Sequence, residues 1–504
     1  MPTLDPAFTA LPLAALADAA LSRAAALGAS HADVRVERIR SRDVVVRDRG
    51  LAGMHDGEDL GIAVRVVHDG TWGFAASTET DPATAAALAE QAVAVARVSR
   101  PLRQDPVLLA DEPVYRDVSW VSSYATNPFD VDLADTVALL LDRTGRLLSH
   151  PRVDHATGTL QQVQENTFYA DLAGTTVTQQ RVRVAPELQA LGVDAEAGTF
   201  ETMRSLAAPA GRGYEYVTGA DGVHDWDTEV AEMGDLLAEK LRAPGLEPGS
   251  YDLVVDPTNL WLTIHESVGH ATELDRALGY EADYAGTSFA TPDQQGRLRY
   301  GSARMSVIGD RTTEHGLATV GWDDEGVAAQ RWDIVSAGRL VGYQLDRSSA
   351  LLLPASGRSN GCAYAESPTR FAIQRMANVS LQPAADGPTT QDLIADVDDG
   401  LYVVGDKSWS IDMQRYNFQF TAQRFFRIRH GRLAGQVKDA AYQGRTPEFW
   451  GSLAAVGGPQ TYWLGGTFTC GKAQPGQGAP VSHGSPASLF RGVNVLSTAR
   501  EGGR

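Results

Sequence analysis

The sequence predicts an α+β fold, in which an N-terminal α+β domain precedes a mostly β C-terminal domain that carries one central helix. Three observations support this. Helical and strand-like periodicities alternate through the first half of the chain, and strands and turns dominate after about residue 300. A glycine- and proline-rich stretch at 243–252 separates the two patterns. The 504 residues are therefore predicted to form domains at 1–245 and 246–504.

The first half contains two cycles of helices and strands. Helical spacing in LPLAALADAALSRAAALG ends at Gly28. Two alternating segments follow, ADVRVERIRSRDVVVRDRG and LGIAVRVVHDGTWGFAAST, and His68-Asp69-Gly70 is placed where a hairpin turn is expected. A helix in DPATAAALAEQAVAVARV completes the first cycle, and a second cycle of helix, strands and helix ends near Pro244. This half is therefore predicted to form an antiparallel sheet covered by helices.

The second half begins with a short buried strand, YDLVVDP, followed by a helix. Asp256 is the predicted N-cap of that helix and Pro257 its first residue. Farther along the chain, two stretches have hairpin character, GWDDEGVAAQRWDIVSAGRLVGYQLD and FQFTAQRFFRIRHGRLAGQVKDAAYQG. These patterns predict a domain built mainly of strands around the one helix.

The composition narrows the classes of function. The net charge is −19, with no basic cluster, so binding to nucleic acid or to an anionic membrane is not expected. No apolar run is long enough to span a membrane, and we interpret the N-terminal segment as an amphipathic helix rather than a signal peptide. The two cysteines are too few for a disulfide scaffold. A cytoplasmic location is therefore expected.

The central helix carries an unusual histidine pair. In WLTIHESVGHATELD, His265 and His270 are separated by five positions instead of the four of the familiar H-E-x-x-H zinc motif. In a straight α-helix such residues point about 140° apart. A π-bulge adds one residue to a turn and is typical of functional sites, and Gly269 is expected to tolerate the distortion. The spacing therefore predicts a distorted helix that turns both imidazoles to one metal ion.

Neutral imidazoles suit zinc, and hydrolytic zinc sites use three protein ligands and leave one position for water. Glu266, beside the first histidine, is placed to act as general base. Cys470 is the favoured third ligand, because it lies in a predicted glycine-dense loop without an evident packing role, and thiolate is a strong zinc ligand. Cys362 is interpreted as structural. The other candidates for the third ligand are Glu273, Asp275, Glu281 and His483.

Three segments together resemble the TldD/PmbA family of modulator-type metallopeptidases. They are HESVGHATELD, SNGCAYAESPTRFAIQRMANVSL and FTCGKAQPGQGAPVSHGSP. GWDDEG and IRHGRLAGQV fit the same pattern, and the resemblance extends over nearly the whole chain. It is to the zinc-bearing TldD-like subunits rather than to the PmbA (TldE)-like subunits. One departure is visible, since SNGCAYAES lacks the paired arginines that many members have in this turn.

The resemblance implies a zinc-dependent peptidase with one Zn²⁺ per chain, bound by His265, His270 and Cys470, and with Glu266 as the catalytic carboxylate. It implies unfolded or short peptides as substrates, or maturation of a ribosomally made peptide, with the peptide extended along a strand edge. It also implies a heterodimer with a PmbA/TldE-like subunit, with a homodimer as the alternative.

Three other interpretations stay open from the sequence. In the first, the chain is a non-catalytic, peptide-binding subunit of a related heterodimer. In the second, it is a zinc hydrolase of a small amide or ester. The third is a structural zinc site, which His483 would close as a fourth ligand.

Overall fold

The computed structural model describes residues 2–353 and 356–501. The predicted α+β class is confirmed, with two large sheets, three smaller ones and helices packed against them. Among the described residues, no helix is long and apolar enough to cross a membrane.

The first large sheet has the strand order β3-β2-β1-β5-β6-β4, and β7 pairs with β6. Its pairs are antiparallel except for β4 with β6. The strands are β1 (His31–Arg47), β2 (Gly50–His68), β3 (Thr71–Ser77), β4 (Val118–Val121), β5 (His155–Asp171), β6 (Thr176–Asp194) and β7 (Thr199–Arg204). The predicted hairpin turn joins β2 to β3, where Asp69 and Gly70 both have positive φ, as a tight two-residue turn requires.

Helices cover this sheet as the periodicity predicts. They are α1 (Pro6–Thr9), α2 (Leu13–Ala26), α3 (Pro82–Ser99), α4 (Leu133–Leu148), α5 (Tyr214–Thr218) and α6 (Trp226–Arg242). The apolar faces of α2 and α3 pack on β1 and β2 in one buried cluster rich in alanine, valine and leucine. Asp81 caps α3 by accepting hydrogen bonds from the backbone N–H groups of Ala83 and Thr84.

The second large sheet has the order β15-β8-β22-β18-β16-β17, and β19 pairs with β22. Since β15 also pairs with β16, five of its strands close into a ring. The strands are β8 (Gly249–Val255), β15 (Asp399–Ile411), β16 (Asn417–Arg429), β17 (Arg432–Val437), β18 (Ala440–Arg445), β19 (Leu453–Val456) and β22 (Ser488–Ser497). Large apolar side chains of these strands, such as Phe420, Tyr442 and Phe490, belong to the largest buried cluster of the protein.

The remaining strands form small sheets beside this ring: β9 (Val307–Asp310), β10 (Arg331–Ser336), β11 (Arg339–Leu340), β12 (Ala363–Tyr364), β13 (Ile373–Gln374), β14 (Asn378–Leu381), β20 (Trp463–Lys472) and β21 (Gln477–Ser485). Both predicted hairpins are present, as β10–β11 and β16–β17. The central helix α7 (Pro257–Ile264) is accompanied by four short helices that the sequence analysis did not predict: α8 (Leu274–Ala277), α9 (Thr390–Ala395), α10 (Thr446–Gly451) and α11 (Thr498–Glu501).

Buried ion pairs connect the first sheet to the segment GWDDEG. Arg65 on β2 pairs with Glu325 at 3.2 Å, and Arg35 on β1 pairs with Asp324 at 3.4 Å. In the described part of the chain, every strand of the first large sheet precedes residue 245 and every strand of the second follows it. The division into domains at 1–245 and 246–504 stays a prediction.

Candidate metal centre

Helix α7 begins as its sequence predicts. Asp256 is the N-cap, its carboxylate accepts a hydrogen bond from the backbone N–H of Thr258 at 3.0 Å, and Pro257 is the first helical residue. The helix is buried along its whole length. Its end therefore delivers the histidine motif into the interior of the protein.

The predicted wide turn is confirmed. A π-helical turn, His265–Gly269, follows α7 directly, and the backbone N–H of His270 donates to the carbonyl of His265, five residues earlier. The Tyr300 hydroxyl donates to the carbonyl of Ser267 at 2.5 Å, and Gln344 Nε2 donates to that of Gly269 at 2.7 Å. The His265 and His270 ring centroids lie 4.7 Å apart. The additional residue thus brings the two imidazoles together.

Gly269 does not serve the role expected of it in the turn. Its φ of −53° is ordinary helical backbone, so the turn makes no use of the conformational freedom of glycine. A Cβ at this position would instead lie 2.5 Å from the sulfur of Met376 and 3.0 Å from its methyl carbon. A larger residue at this position would therefore require the flexible end of the Met376 side chain to move.

Cys470 reaches the histidines from β20, so the expectation of a loop without a packing role was wrong: the residue lies in a strand and belongs to the buried cluster. An extra residue between Thr467 and Cys470 shifts the register of β20 against β21, as in a β-bulge. Sγ of Cys470 lies 3.5 Å from Nε2 of His270, and one donor atom from each of His265, His270 and Cys470 lies within 4.8 Å of the other two. All three residues are buried. The structure therefore brings together the three residues that the sequence analysis proposed as ligands.

Hydrogen bonds fix which nitrogen of His265 is available. His483 Nδ1 lies 2.8 Å from the carbonyl oxygen of Val379, which accepts only, so this nitrogen carries the proton. Burial holds the pKa of His483 well below its ordinary value, so the ring is neutral and its Nε2 accepts. His265 Nδ1 lies 2.7 Å from that Nε2 and must donate to it. Nε2 of His265 is thereby left with a free lone pair, suited to a metal.

His270 is oriented by a carboxylate. Its Nδ1 lies 2.9 Å from Glu273, which also pairs with Arg276 at 3.1 Å and with Lys472 at 3.3 Å. Burial opposes ionisation of Glu273, but Lys472 and His270 together hold its pKa well below the ordinary value. Such a carboxylate–histidine pair directs Nε2 of the imidazole toward a metal.

The alternative ligands are engaged elsewhere. Nε2 of His483 is occupied by His265, and Glu273 by His270 and its two cations. Asp275 pairs with Lys472 at 2.7 Å, and Glu281 accepts the backbone N–H of Ala473 at 3.1 Å. Within the described residues, none of these four side chains joins the group of His265, His270 and Cys470.

Glu266 is buried beside the three candidate ligands and forms an ion pair with Arg415, with Nη1 and Oε2 2.6 Å apart. Arg415 was not predicted from the sequence, because it lies 149 residues from Glu266, in the hairpin turn between β15 and β16. No role was predicted for Lys472 either, although this lysine belongs to the segment FTCGK and is fully buried.

These groups open into a cleft of about 650 Å³. One wall is formed by β5, β6 and the segment after β7, and the other by α7, β15 and β20. Residues lining the cleft include Gln161, Glu187, Arg204, Trp261, His265, Glu266, His270, Trp409, Arg415, Phe468 and Cys470. The candidate metal ligands and Glu266 therefore face one shared space that is large enough for a segment of peptide.

Comparison with known proteins gives consistent matches. A family model described as PmbA/TldA metallopeptidase C-terminal domain matches residues 248–497, and PmbA/TldA metallopeptidase domain 1 matches 32–96. A protein of Methanothermobacter thermautotrophicus named metalloprotease is 28% identical, over 93% of this chain and 96% of its own length. The zinc metalloprotease TldD homolog of Saccharolobus solfataricus is 22% identical, over 94% and 98%.

A solved structure supports the fold. TldE from Thermococcus kodakarensis superposes with a TM-score of 0.71 at 15% identity and covers 94% of this chain and 98% of its own. At this identity the similarity concerns the fold alone.

Proposed function

This chain belongs to the PmbA/TldD metallopeptidase family, and we propose that it is a zinc-dependent peptidase that hydrolyses unfolded or short peptides. In this proposal His265, His270 and Cys470 bind one zinc ion, and Glu266 is the catalytic carboxylate. The observation that carries it is that all four side chains line one cleft, with three metal donors within 4.8 Å of one another. The names of the relatives, metalloprotease and zinc metalloprotease, support it.

The donor set fits zinc. Thiolate and neutral imidazole are ligands that zinc prefers, and both histidines have Nδ1 engaged, which leaves Nε2 available. Two donors bound to a tetrahedral zinc at about 2.0 and 2.3 Å lie roughly 3.5 Å apart. Sγ of Cys470 and Nε2 of His270 are 3.5 Å apart. Three protein ligands leave a fourth position open, as in catalytic rather than structural sites.

The chemistry is divided between the metal and Glu266. When bound, zinc supplies Lewis-acid chemistry that polarises the scissile carbonyl and acidifies water. Glu266 accepts a proton from the water molecule that attacks the carbonyl carbon, and a C–O bond forms. Glu266 then delivers this proton to the amine nitrogen as the C–N bond breaks.

The proposed substrate mode is strand addition. Within the described chain, β20 pairs with β21 alone, so one edge of the strand that carries Cys470 is unpaired. The stretch Gly466–Gly471 of this strand lines the cleft. An extended peptide hydrogen-bonded to such an edge is recognised mainly by its backbone, which suits varied unfolded or short peptides, including a ribosomally made precursor.

A PmbA/TldE-type subunit is the proposed partner, in a heterodimer, with a homodimer as the alternative. Membership in a family named for both PmbA and TldD supports this choice. A cytoplasmic location is also proposed, since both cysteines are buried free thiols, as is usual in a reducing compartment.

The test is Glu266→Gln, which keeps the shape of the side chain but cannot accept the proton. We expect peptide turnover to fall by about 10²–10⁴-fold, because this is the usual contribution of a positioned general base. Zinc content by metal analysis and peptide affinity are expected to stay at the parental level, because Glu266 is neither a ligand nor part of the strand edge. Glu448→Gln, at an exposed ion pair on α10, is the matched control.

Each alternative gives a different result. Parental turnover in Glu266→Gln with zinc retained contradicts the mechanism, and loss of zinc places Glu266 among the ligands. A zinc-loaded parent that binds peptides without cleaving them is a non-catalytic subunit. A parent that cleaves small chromogenic amides or esters but no member of a peptide library is a small-molecule hydrolase.

A further inference from the structure

The ion pair between Arg415 and Glu266 links the β15–β16 hairpin to the π-helical turn. Nη1 of Arg415 lies 2.6 Å from Oε2 of Glu266, and the two side chains are 13% and 6% exposed. Both line the cleft together with His265, His270 and Cys470. A charge-assisted hydrogen bond of this length in a buried setting restricts the orientation of the carboxylate strongly.

The turn that carries Arg415 is held in a conformation that most residues avoid. Arg415 has φ 63°, in the left-handed region, which is costly for a long side chain and persists only where the surroundings impose it. The Asp412 carboxylate accepts the backbone N–H groups of Gln414, Tyr416 and Asn417 at 3.1, 2.8 and 2.9 Å. The Arg415 carbonyl accepts the hydroxyl of Thr446 at 2.7 Å.

The guanidinium of Arg415 has few other partners. Its Nη2 lies 3.4 Å from the carbonyl of Ala285, and its Nε is buried without a hydrogen-bond partner in the described chain. Glu266 is therefore its main contact. On the other side of the pair, no hydrogen bond to Oε1 of Glu266 is found among the described residues, so this oxygen is free to receive a proton.

We propose that Arg415 is a positioning residue for the peptidase reaction: by binding Oε2 of Glu266, it holds Oε1 in the orientation that takes the proton from the attacking water. This inference rests on the proposed function, in which Glu266 is the general base. The proton passes from water to Oε1 and then to the leaving amine nitrogen, while Arg415 keeps its own protons and contacts no reacting atom.

The experiment is a double-mutant cycle on the zinc-loaded chain, with the parent, Arg415→Met, Glu266→Gln and the double variant. We expect Arg415→Met to lower kcat for a fluorogenic peptide by about 10²-fold, the typical cost of misplacing a catalytic group, with KM changed much less. In the Glu266→Gln background the same substitution is expected to change kcat less than about 2-fold, because no base remains to be positioned. Arg415→Lys is expected to recover part of the loss.

The controls separate positioning from a structural role. Arg445→Met removes an exposed arginine from the ion pair with Glu448, 3.0 Å long, and is expected to leave kcat, KM and zinc content unchanged. Zinc content and the melting temperature are measured for every variant. If Arg415→Met does not fold, the cycle is completed with Arg415→Lys, for which the same non-additivity is expected.

Three outcomes would overturn the inference: parental kcat in Arg415→Met, an equal loss of kcat in both backgrounds, or loss of zinc from the Arg415 variants. If instead the proposed function is wrong and Glu266 is not the general base, the Glu266→Gln variant keeps the parental turnover.

Discussion

The two cysteines of this chain are both buried, but the pKa values of their thiols are shifted in opposite directions. Cys362, in the segment SNGCAYAES, is fully buried, and burial raises the pKa of its thiol to about 12. Cys470 on β20 is also buried, but His270 and Arg375 outweigh the effect of burial and lower the pKa of its thiol below the ordinary 9.0. Burial alone therefore does not make a thiol inert, because the groups packed against it also shift its pKa.

The surroundings of Cys470 extend this contrast. Arg375 donates to the backbone carbonyl of Cys470 and to that of Gln477, so its charge is held next to the strand. Cys362 also has a buried arginine near it, Arg311, but burial and the carboxylates of Asp323 and Asp346 outweigh its effect on the thiol pKa. We therefore interpret Cys470 as a metal ligand and Cys362 as a small core residue.

The largest expected effect on zinc binding and activity comes from replacing each cysteine in turn with serine. Cys470→Ser is expected to lose most of its bound zinc and nearly all peptidase activity, because a neutral hydroxyl is a poor replacement for thiolate. Cys362→Ser is expected to keep the zinc content and turnover of the parent. Metal analysis of the purified variants, each loaded with zinc under the same conditions, checks this. Equal zinc in Cys470→Ser and parent would remove the contrast and require another third ligand.

The features that the sequence predicts correctly have local signals. The spacing of HESVGH predicts the π-helical turn, because five positions cannot share one face of a straight α-helix. Hairpin turns such as the one between β2 and β3 follow from Asp-Gly and His-Gly pairs between alternating segments. The α+β class follows from the succession of the two periodicities.

The features that the sequence does not predict depend on distant contacts. His483 orients His265 from 218 positions away, and Arg415 pairs with Glu266 from 149 away. The closed ring of five strands depends on the parallel pairing of β8 with β15, which are separated by more than 140 residues. Hydrophobic periodicity indicates whether one segment is a helix or a strand, but it does not indicate which distant segment packs against it. The contact between Gly269 and the end of the Met376 side chain is likewise visible only in the folded structure.

A second test compares the two thiols in zinc-free protein. At pH 8 the Cys362 thiol, with a pKa of about 12, is almost entirely protonated, whereas Cys470, with its lowered pKa, has the larger thiolate fraction and lines the cleft. We expect iodoacetamide to label Cys470 on the order of 10²-fold faster, since the lower intrinsic reactivity of the less basic thiolate offsets part of the difference in ionisation. Raising the pH from 7 to 9 should speed labelling of Cys470 and leave Cys362 slow.

Peptide mass spectrometry over time measures both rates in one sample. Adding zinc before the reagent should protect Cys470 and change nothing at Cys362. Comparable rates at the two positions would show that the groups around the two thiols do not distinguish them.

The smallest expected effect concerns His483, which acts on the site without joining it. His483→Phe keeps a flat ring next to Trp261, whose ring stacks on His483 with centroids 6.4 Å apart. The substitution removes the acceptor for Nδ1–H of His265, so the tautomer that presents Nε2 to the metal loses its support. We expect zinc affinity to fall by about 10–100-fold, the usual cost of losing such a partner, while saturating zinc restores most of the turnover.

The control is His430→Phe, at a histidine whose side chain is 85% exposed, and this variant should bind zinc as the parent does. Titration with a competing chelator measures the affinities. If His483→Phe loses zinc as completely as Cys470→Ser, His483 is a fourth ligand and the site is a closed, structural one. If the affinity is unchanged, the metal alone selects the tautomer of His265.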